Sequence, residues 1–405
     1  MEKLISLLGL FVMLGVAWAL SDNKKRIQWR TVISGVLLQA LFGLIILKTT
    51  IGKSIFETLG KGFNAILGYT AQGSQFLFGN LSTPSESLGF IFATMVLPTI
   101  IFMSALMSVL YHVGIMQKVV EVMAKIMMIT MRTSGAESLA AAANIFVGQT
   151  EAPLVIKPYV KSMTRSEMMC LMTGGMATVA GGVLAAFVGF GIDAAHLLAA
   201  SVMSAPAAIV CAKLMIPEVE ESETAGVVKI NLPKLSTNVI DAAATGASDG
   251  LKLAVNVAAM LLAFIALIAM LNGILSGAGG LFGYPQLTFE LIIGYLNAPV
   301  AWLLGVPWDD CIAVGGMLGK KLVLNEFVGY LDLAAAKGQI SERATILTTY
   351  ALCGFSNFSS IAIQLGGIGT LAPEKRPTLA ALGMKSLIAG TLACYMTACI
   401  AGLFI

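Results

Sequence analysis

The stretch Asn144-Ile-Phe-Val-Gly-Gln-Thr-Glu-Ala-Pro-Leu154 decides how this chain is read. It interrupts the apolar segment 134–163, leaving flanks of about 12–15 residues, too short to cross ~30 Å of hydrocarbon at 1.5 Å per residue. Gly148 and Pro153 break any helix between the flanks. The economical reading is a re-entrant hairpin with Gly148-Gln-Thr-Glu151 at its tip. Backbone freed at membrane depth is tolerated only where it is buried in protein or lines a cavity.

Composition sets the scene for that stretch. Of 405 residues 57% are hydrophobic and 12% charged, with mean hydropathy +0.87, so the charge is about half that of a soluble domain. The chain therefore reads as an all-α polytopic membrane protein. Its net charge of +3 is small and scattered, which speaks against a nucleic-acid partner. Six cysteines, Cys170, Cys211, Cys311, Cys353, Cys394 and Cys399, lie in apolar surroundings without paired short spacing and read as packing residues. Two histidines, His112 and His196, leave no His-based metal site or catalytic triad.

Apolar runs at 4–20, 32–47, 88–111, 168–192, 251–273, 289–306, 344–368 and 380–405 predict eight transmembrane helices. The basic loop Ser21-Asp-Asn-Lys-Lys-Arg-Ile-Gln-Trp-Arg30 is expected inside, which places both termini outside. On the same count the basic segment 373–377 falls inside, and the segment 217–250, with Glu218, Glu220, Glu221 and Glu223, falls outside. Residues 51–67 and 115–131 carry one apolar stripe each and are expected as interfacial helices. The Ala-rich stretch 194–212 is expected to be external and packed on the bundle.

A second interrupted segment, 314–333, carries Asn325-Glu326-Phe327 at its centre. Each hairpin is followed by a span broken midway, at Ala177-Thr-Val-Ala-Gly-Gly-Val183 and at Cys353-Gly-Phe-Ser-Asn-Phe-Ser-Ser360. Gly148 to Gly181 is 33 residues, Asn325 to Asn357 is 32, and the tips lie 177 apart. With one hairpin entering from each side, this is an inverted-topology repeat, the plan that puts substrate at the midplane of transporters. The expected organisation is 1–50 as scaffold helices and 51–192 as the first repeat, containing the hairpin 134–163 and broken helix 168–192. An external helix and acidic loop at 193–250 follow. The second repeat is 251–368, with hairpin 314–333 and broken helix 344–368, and 369–405 is a basic loop and last span.

Three motifs in this order, 148–154, 325–327 and 353–360, resemble the signatures of the concentrative nucleoside transporter family, over essentially the whole chain. That resemblance implies a bacterial, homotrimeric, elevator-type symporter of the inner membrane that imports nucleosides such as uridine, cytidine or adenosine with Na⁺ and needs no other cofactor. It implies that Gln149, Thr150, Glu151 and Val183 face the base, with Leu253 beside them. Glu326, Asn357 and Ser360 would face the ribose, and Phe355 would supply apolar contact. A nearly neutral nucleoside needs hydrogen bonds more than countercharge, and these side chains supply donors and acceptors of both kinds. The family's sodium site matches Asn144, the Val147 carbonyl, Thr178 and the Val179 carbonyl. Carboxylates such as Glu151 and Glu326 cost at least ~2.5–3.5 kcal/mol at membrane depth, so a purely structural role for both is a poor account of them.

Other readings fare worse. A proton-coupled relative would use Glu151 or Glu326 as the titrating group. A two-hairpin carrier of dicarboxylates or amino acids should present Arg at its tips, where this chain presents Glu. An intramembrane hydrolase would need a base near Ser356, Ser359 or Ser360, and no histidine lies in that half. Gly52-Lys-Ser54 lacks the upstream glycine of a phosphate-binding loop. The charged pairs Lys320/Lys321 and Asp309/Asp310 are expected as anchors at the outer interface.

Overall fold

A computed structural model describes residues 1–83, 89–225 and 236–405. Among them the backbone is helical, with short 3-10 turns, an isolated bridge between Lys337 and Ile340, and no strand. Three helices lead in: α1 (Glu2–Ala19), α2 (Trp29–Lys48) and α3 (Thr50–Phe78). Next come α4 (Phe92–Met95) and α5 (Leu97–Val113), which form one span, and α6 (Ile115–Met131). The first hairpin is α7 (Gly135–Asn144) with α8 (Ala152–Val155). The first broken helix is α9 (Arg165–Ala177) with α10 (Gly181–Gly189), and α11 (Ala194–Met215) closes this half.

The second half repeats the series. It runs through α12 (Val239–Leu281), α13 (Phe289–Leu303), the hairpin α14 (Cys311–Val323) and α15 (Glu326–Ala335), the broken helix α16 (Glu342–Leu352) and α17 (Phe358–Leu371), and α18 (Arg376–Phe404). The packing repeats as well. Helix α6 lies on α7 as α13 lies on α14, while α5 packs on α12 and α11 on α18 across the two halves. Gly246 and Gly250 let α12 close on α5: a Cβ at either would come within 2.8 Å of the α5 backbone.

The ends of the elements show the inversion. Hairpin 1 and α9 begin beside the basic loop, because Arg165 pairs with Asp22 at 2.9 Å and Lys375 donates to the Met163 carbonyl. Hairpin 2 and α16 begin at the opposite face, where Asp310 accepts from Ser341, and Arg343 reaches Glu2 at 3.2 Å and the Ile405 carbonyl at 3.4 Å. Both termini therefore share the face away from the basic loop.

Several expectations need correction. The stretch 194–212 is not external. Helix α11 is 22 residues long, apolar enough to cross a membrane, and buried between α2, α9 and α18. Small side chains lower its hydropathy yet allow the close approach that helices in membranes favour. Conversely, the run 289–306 is no span. Helix α13 has 15 residues, about 22 Å at 1.5 Å per residue, and its apolar side lies along hairpin 2. The two miscounts offset each other. Seven helices among the described residues meet the length and hydropathy of a span, and the interrupted α16–α17 pair is the eighth crossing.

The acidic segment beginning at 217 is also misplaced, since the Asp22 N–H donates to the Met215 carbonyl at 2.9 Å. Its start thus shares the face of the basic loop, and residues 226–235 lie outside the described residues. Acidic residues carry little topological information, and Glu218 is neutralised internally by Lys213. The interfacial helix expected at 51–67 extends to Phe78, whereas 115–131 coincides with α6. Residue 88 of the third expected run is outside the described residues; the helix there is Phe92–Val113. All six cysteines are buried and free.

Candidate functional site

The breaks in α9–α10 and α16–α17 meet at the centre, where the Phe355 N–H donates to the Thr178 carbonyl at 3.2 Å. Local sequence sets both breaks. Thr178 is extended and ends α9. Asn357 caps α17 by accepting the Ser360 N–H at 3.0 Å, and Asn325 caps α15 by accepting the Val328 N–H at 3.1 Å. Two helix N-termini and the tip of hairpin 1 therefore converge on one crevice of about 140 Å³.

That crevice brings together all nine residues expected at a substrate site: Gln149, Thr150, Glu151, Val183, Leu253, Glu326, Phe355, Asn357 and Ser360. Its polar groups are already ordered. Asn357 Nδ2 donates to Glu326 Oε2 at 3.2 Å, while its Oδ1 also accepts from Ser359 Oγ at 2.7 Å. Gln149 Nε2 donates to Ser360 Oγ at 3.0 Å. Glu326 is 2% exposed, whereas Glu151 opens onto the crevice. The opposite wall is apolar, made of Leu253, Val257, Met260 and Leu261 on α12. Behind Glu326, the Phe187 ring of α10 packs on Phe327 and Tyr330 of α15, with centroids 5.0 and 4.1 Å apart. This ring cluster ties one repeat to the other.

The four residues matched to a sodium site sit where α7 and α9 end. Asn144 is 1% exposed, and its Oδ1 and Nδ2 have no hydrogen-bond partner. It lies against Gly174, whose carbonyl accepts from Thr178 Oγ1 at 2.8 Å. Val179 is buried and Val147 half-buried beside them. A buried amide oxygen left without a donor, next to the C-terminal ends of two helices, suits a small cation.

One residue was missed, and two were misplaced. Gln364 is fully buried and donates to Gln149 Oε1 at 3.1 Å and to the Met172 carbonyl at 2.9 Å, so it orients Gln149. Its position one turn beyond Ser360, a polar residue in an apolar run, could have revealed it. Lys321 is not an interfacial anchor: it is 1% exposed and donates to the Ala351 carbonyl at 2.8 Å. Lys320 is also buried and joins Glu290 at 3.0 Å and Asp332 at 2.8 Å. A Lys-Lys pair reads as surface because the sequence does not reveal the acceptors that make burial tolerable. Asp309 is exposed as expected.

An all-helical bundle with two hairpins and two broken helices around a central polar crevice defines a secondary carrier. Comparisons with known proteins agree. The family described as Na⁺ dependent nucleoside transporter C-terminus matches residues 196–402, its N-terminus counterpart matches 8–81, and a nucleoside-recognition gate domain matches 93–194. An uncharacterized transporter of Haemophilus influenzae is 48% identical over 100% of this chain and 98% of its own. The sodium/nucleoside cotransporter 1 of Rattus norvegicus is 44% identical over 99% of this chain, which spans 64% of that longer protein. The structure of CNTnw in an inward-facing substrate-bound state superposes with a TM-score of 0.95 at 44% identity, covering 100% of this chain and 98% of that one. An outward-facing form of CNTnw gives 0.94. The chain belongs to the Na⁺-dependent nucleoside transporter family. It is a multi-pass membrane carrier that imports nucleosides with sodium, and not an enzyme.

Proposed function

We propose that the crevice is the nucleoside site and that Asn144, the Val147 carbonyl, Thr178 and the Val179 carbonyl hold the coupling sodium. In this reading Gln149, Thr150 and Glu151 take the edge of the base, with Val183, Leu253 and Phe355 against its faces. Glu326, Asn357 and Ser360 take the ribose. The carrying observation is the Glu326–Asn357 pair facing the Gln149–Ser360 pair across one crevice. A carboxylate that already accepts one amide keeps lone pairs for hydroxyl donors, and vicinal ribose hydroxyls fit that need. Sodium at the end of α9 would stiffen the break on which the base-binding tip rests, so ion and nucleoside bind each other's preferred state.

The substrates are nucleosides such as uridine, cytidine and adenosine. The setting is the bacterial cytoplasmic membrane, with the basic loop inside and both termini outside. The long helix α12 turns Leu262, Met270 and Ile274 outward, apolar surface suited to lipid or to a homotrimer. At a potential of about −100 mV, one charge contributes ~2.3 kcal/mol. A tenfold sodium gradient adds ~1.4 kcal/mol. The two together support accumulation of several hundred-fold, roughly.

Uptake of radiolabelled uridine, cytidine and adenosine into proteoliposomes, with and without a sodium gradient, tests this. Saturable sodium-driven uptake is expected, and Glu326→Gln should lower it about 10²-fold, the cost of losing charged hydrogen bonds, without changing preference among bases. Uptake driven by a pH gradient alone would move the assignment to proton coupling. No saturable uptake of any nucleoside would refute it.

A further inference from the structure

The broken helices of the two halves repeat at an offset of 177 residues, α9 and α16 starting at Arg165 and Glu342 and α10 and α17 at Gly181 and Phe358, and the first hairpin arms start at Gly135 and Cys311, close to the same spacing. That offset carries Asn144 onto Lys321, Gly174 onto Ala351 and Thr178 onto Phe355. The contacts follow it. Asn144 lies against Gly174, so that a Cβ there would sit 3.0 Å from Asn144 Nδ2. Lys321 Nζ donates to the Ala351 carbonyl at 2.8 Å. Thr178 and Phe355 are bonded directly to each other, as residues near a pseudo-twofold axis should be. In each half, the end of a hairpin arm meets the end of the first segment of a broken helix, and the negative ends of two helix dipoles converge. In the first half that junction holds an amide whose oxygen and nitrogen lack partners. In the second it holds an ammonium on a residue 1% exposed.

We propose that the Lys321 ammonium is a tethered cation. It takes, in the second repeat, the place that sodium takes in the first, and so fixes the carrier at one sodium per nucleoside. This rests on the sodium reading of the Asn144 site. It explains why a lysine is buried at all: a lone ammonium is costly to desolvate, but the carbonyl end of α16 receives it directly. It also separates the roles of the two hairpins. Hairpin 2 carries its own cation and needs no ion to be ordered, whereas hairpin 1 is completed by the ion.

Full-length protein in proteoliposomes tests the proposal with ²²Na⁺ and ³H-uridine, alongside thermal unfolding in detergent with NaCl or choline chloride. Lys321→Asn restores the residue of the first repeat, and the Hill coefficient for Na⁺ and the sodium:uridine flux ratio should rise from about 1 to about 2. Lys321→Met should lower uridine uptake about 30-fold or more while keeping the stabilisation by NaCl, and Lys321→Arg should restore uptake. Should Lys321→Met fail to fold, Lys321→Asn decides. Recovery of its yield and Tm in NaCl but not choline chloride supports the proposal, and no such recovery overturns it. A folded Lys321→Asn with unchanged ratio and Hill coefficient, or a Lys321→Met that transports like the wild type, also overturns it. A wild type indifferent to sodium would overturn the sodium reading itself.

Discussion

The two hairpins share a topology and differ in how they are held. Hairpin 1 has only ten residues of regular helix in its first arm and four in its second, and its strength lies at its base. There, two reciprocal capping boxes, Ser134 with Glu137 and Thr164 with Glu167, interlock. Ser134 and Ser222 both donate to Glu167, and Lys213 reaches Glu137 at 2.7 Å and Glu218 at 3.3 Å. Lys213 and Glu137 are nearly inaccessible to water. Hairpin 2 has two longer arms of 13 and 10 residues, braced across by Lys320 to Asp332. The partners of that brace, Glu290 and Asp332, are about one-third exposed. Inverted repetition thus preserves the course of the backbone and leaves each half free to solve its polar problem differently.

The largest expected effect separates the two braces. Lys213→Met strands Glu137 in a buried site and should cost about 3–5 kcal/mol, read as loss of folded protein in thermal or denaturant unfolding. Lys320→Met leaves two carboxylates, each about one-third exposed, that water can reach, so each lost pair should cost no more than about 1 kcal/mol. Equal losses would break the comparison.

A smaller effect should sharpen the contrast between the two cation junctions. Gly174→Ala places a methyl 3.0 Å from Asn144 Nδ2. The half-saturating sodium concentration for uptake should rise about tenfold, while the apparent uridine affinity at saturating sodium stays unchanged. A parallel loss of uridine affinity would show that Gly174 serves the crevice itself.

The smallest effect concerns the face where hairpin 1 begins. Burial works against ionisation of Asp22, but the hydrogen bond and charge of Lys385 and the charge of Arg165 outweigh it and hold the carboxyl below its usual range. A carboxylate with a lowered folded pKa stabilises the protein above its unfolded pKa, and that contribution disappears as pH falls through the folded value. Asp22→Asn should therefore lower stability at neutral pH, by no more than about 1 kcal/mol for a partly exposed pair, and flatten the acid limb below about pH 4, where variant and wild type converge. An unchanged acid limb would detach Asp22 from the hairpin's anchorage.

Much of the site was legible because membrane depth makes polar residues conspicuous. Gln149, Glu151, Glu326 and Asn357 interrupt apolar runs, and the structure brings all of them to one crevice. Hydropathy failed where side-chain size mattered more than polarity. Helix α11 is Ala-rich and central, while α13 is strongly apolar and too short to span. Charge failed as a guide to surface position for the same kind of reason. Lys213, Lys320 and Lys321 are buried because acceptors arrive from other helices, Glu137 for Lys213, Glu290 and Asp332 for Lys320 and the Ala351 carbonyl for Lys321, and of their partners only Glu218 stands close by in sequence.

Sequence alone determined the class of fold, the two tips, the two breaks and the spacing that relates them. These follow from local chemistry: glycine, proline and capping side chains stop helices wherever they occur, and a short apolar run cannot cross the membrane. Only the tertiary structure decided which helix lies at the centre, which lysines are interior, and that Asn144 and Lys321 occupy equivalent junctions. Those facts depend on partners brought in from other helices, many of them distant in the chain, and proximity of that kind exists only once the chain has folded.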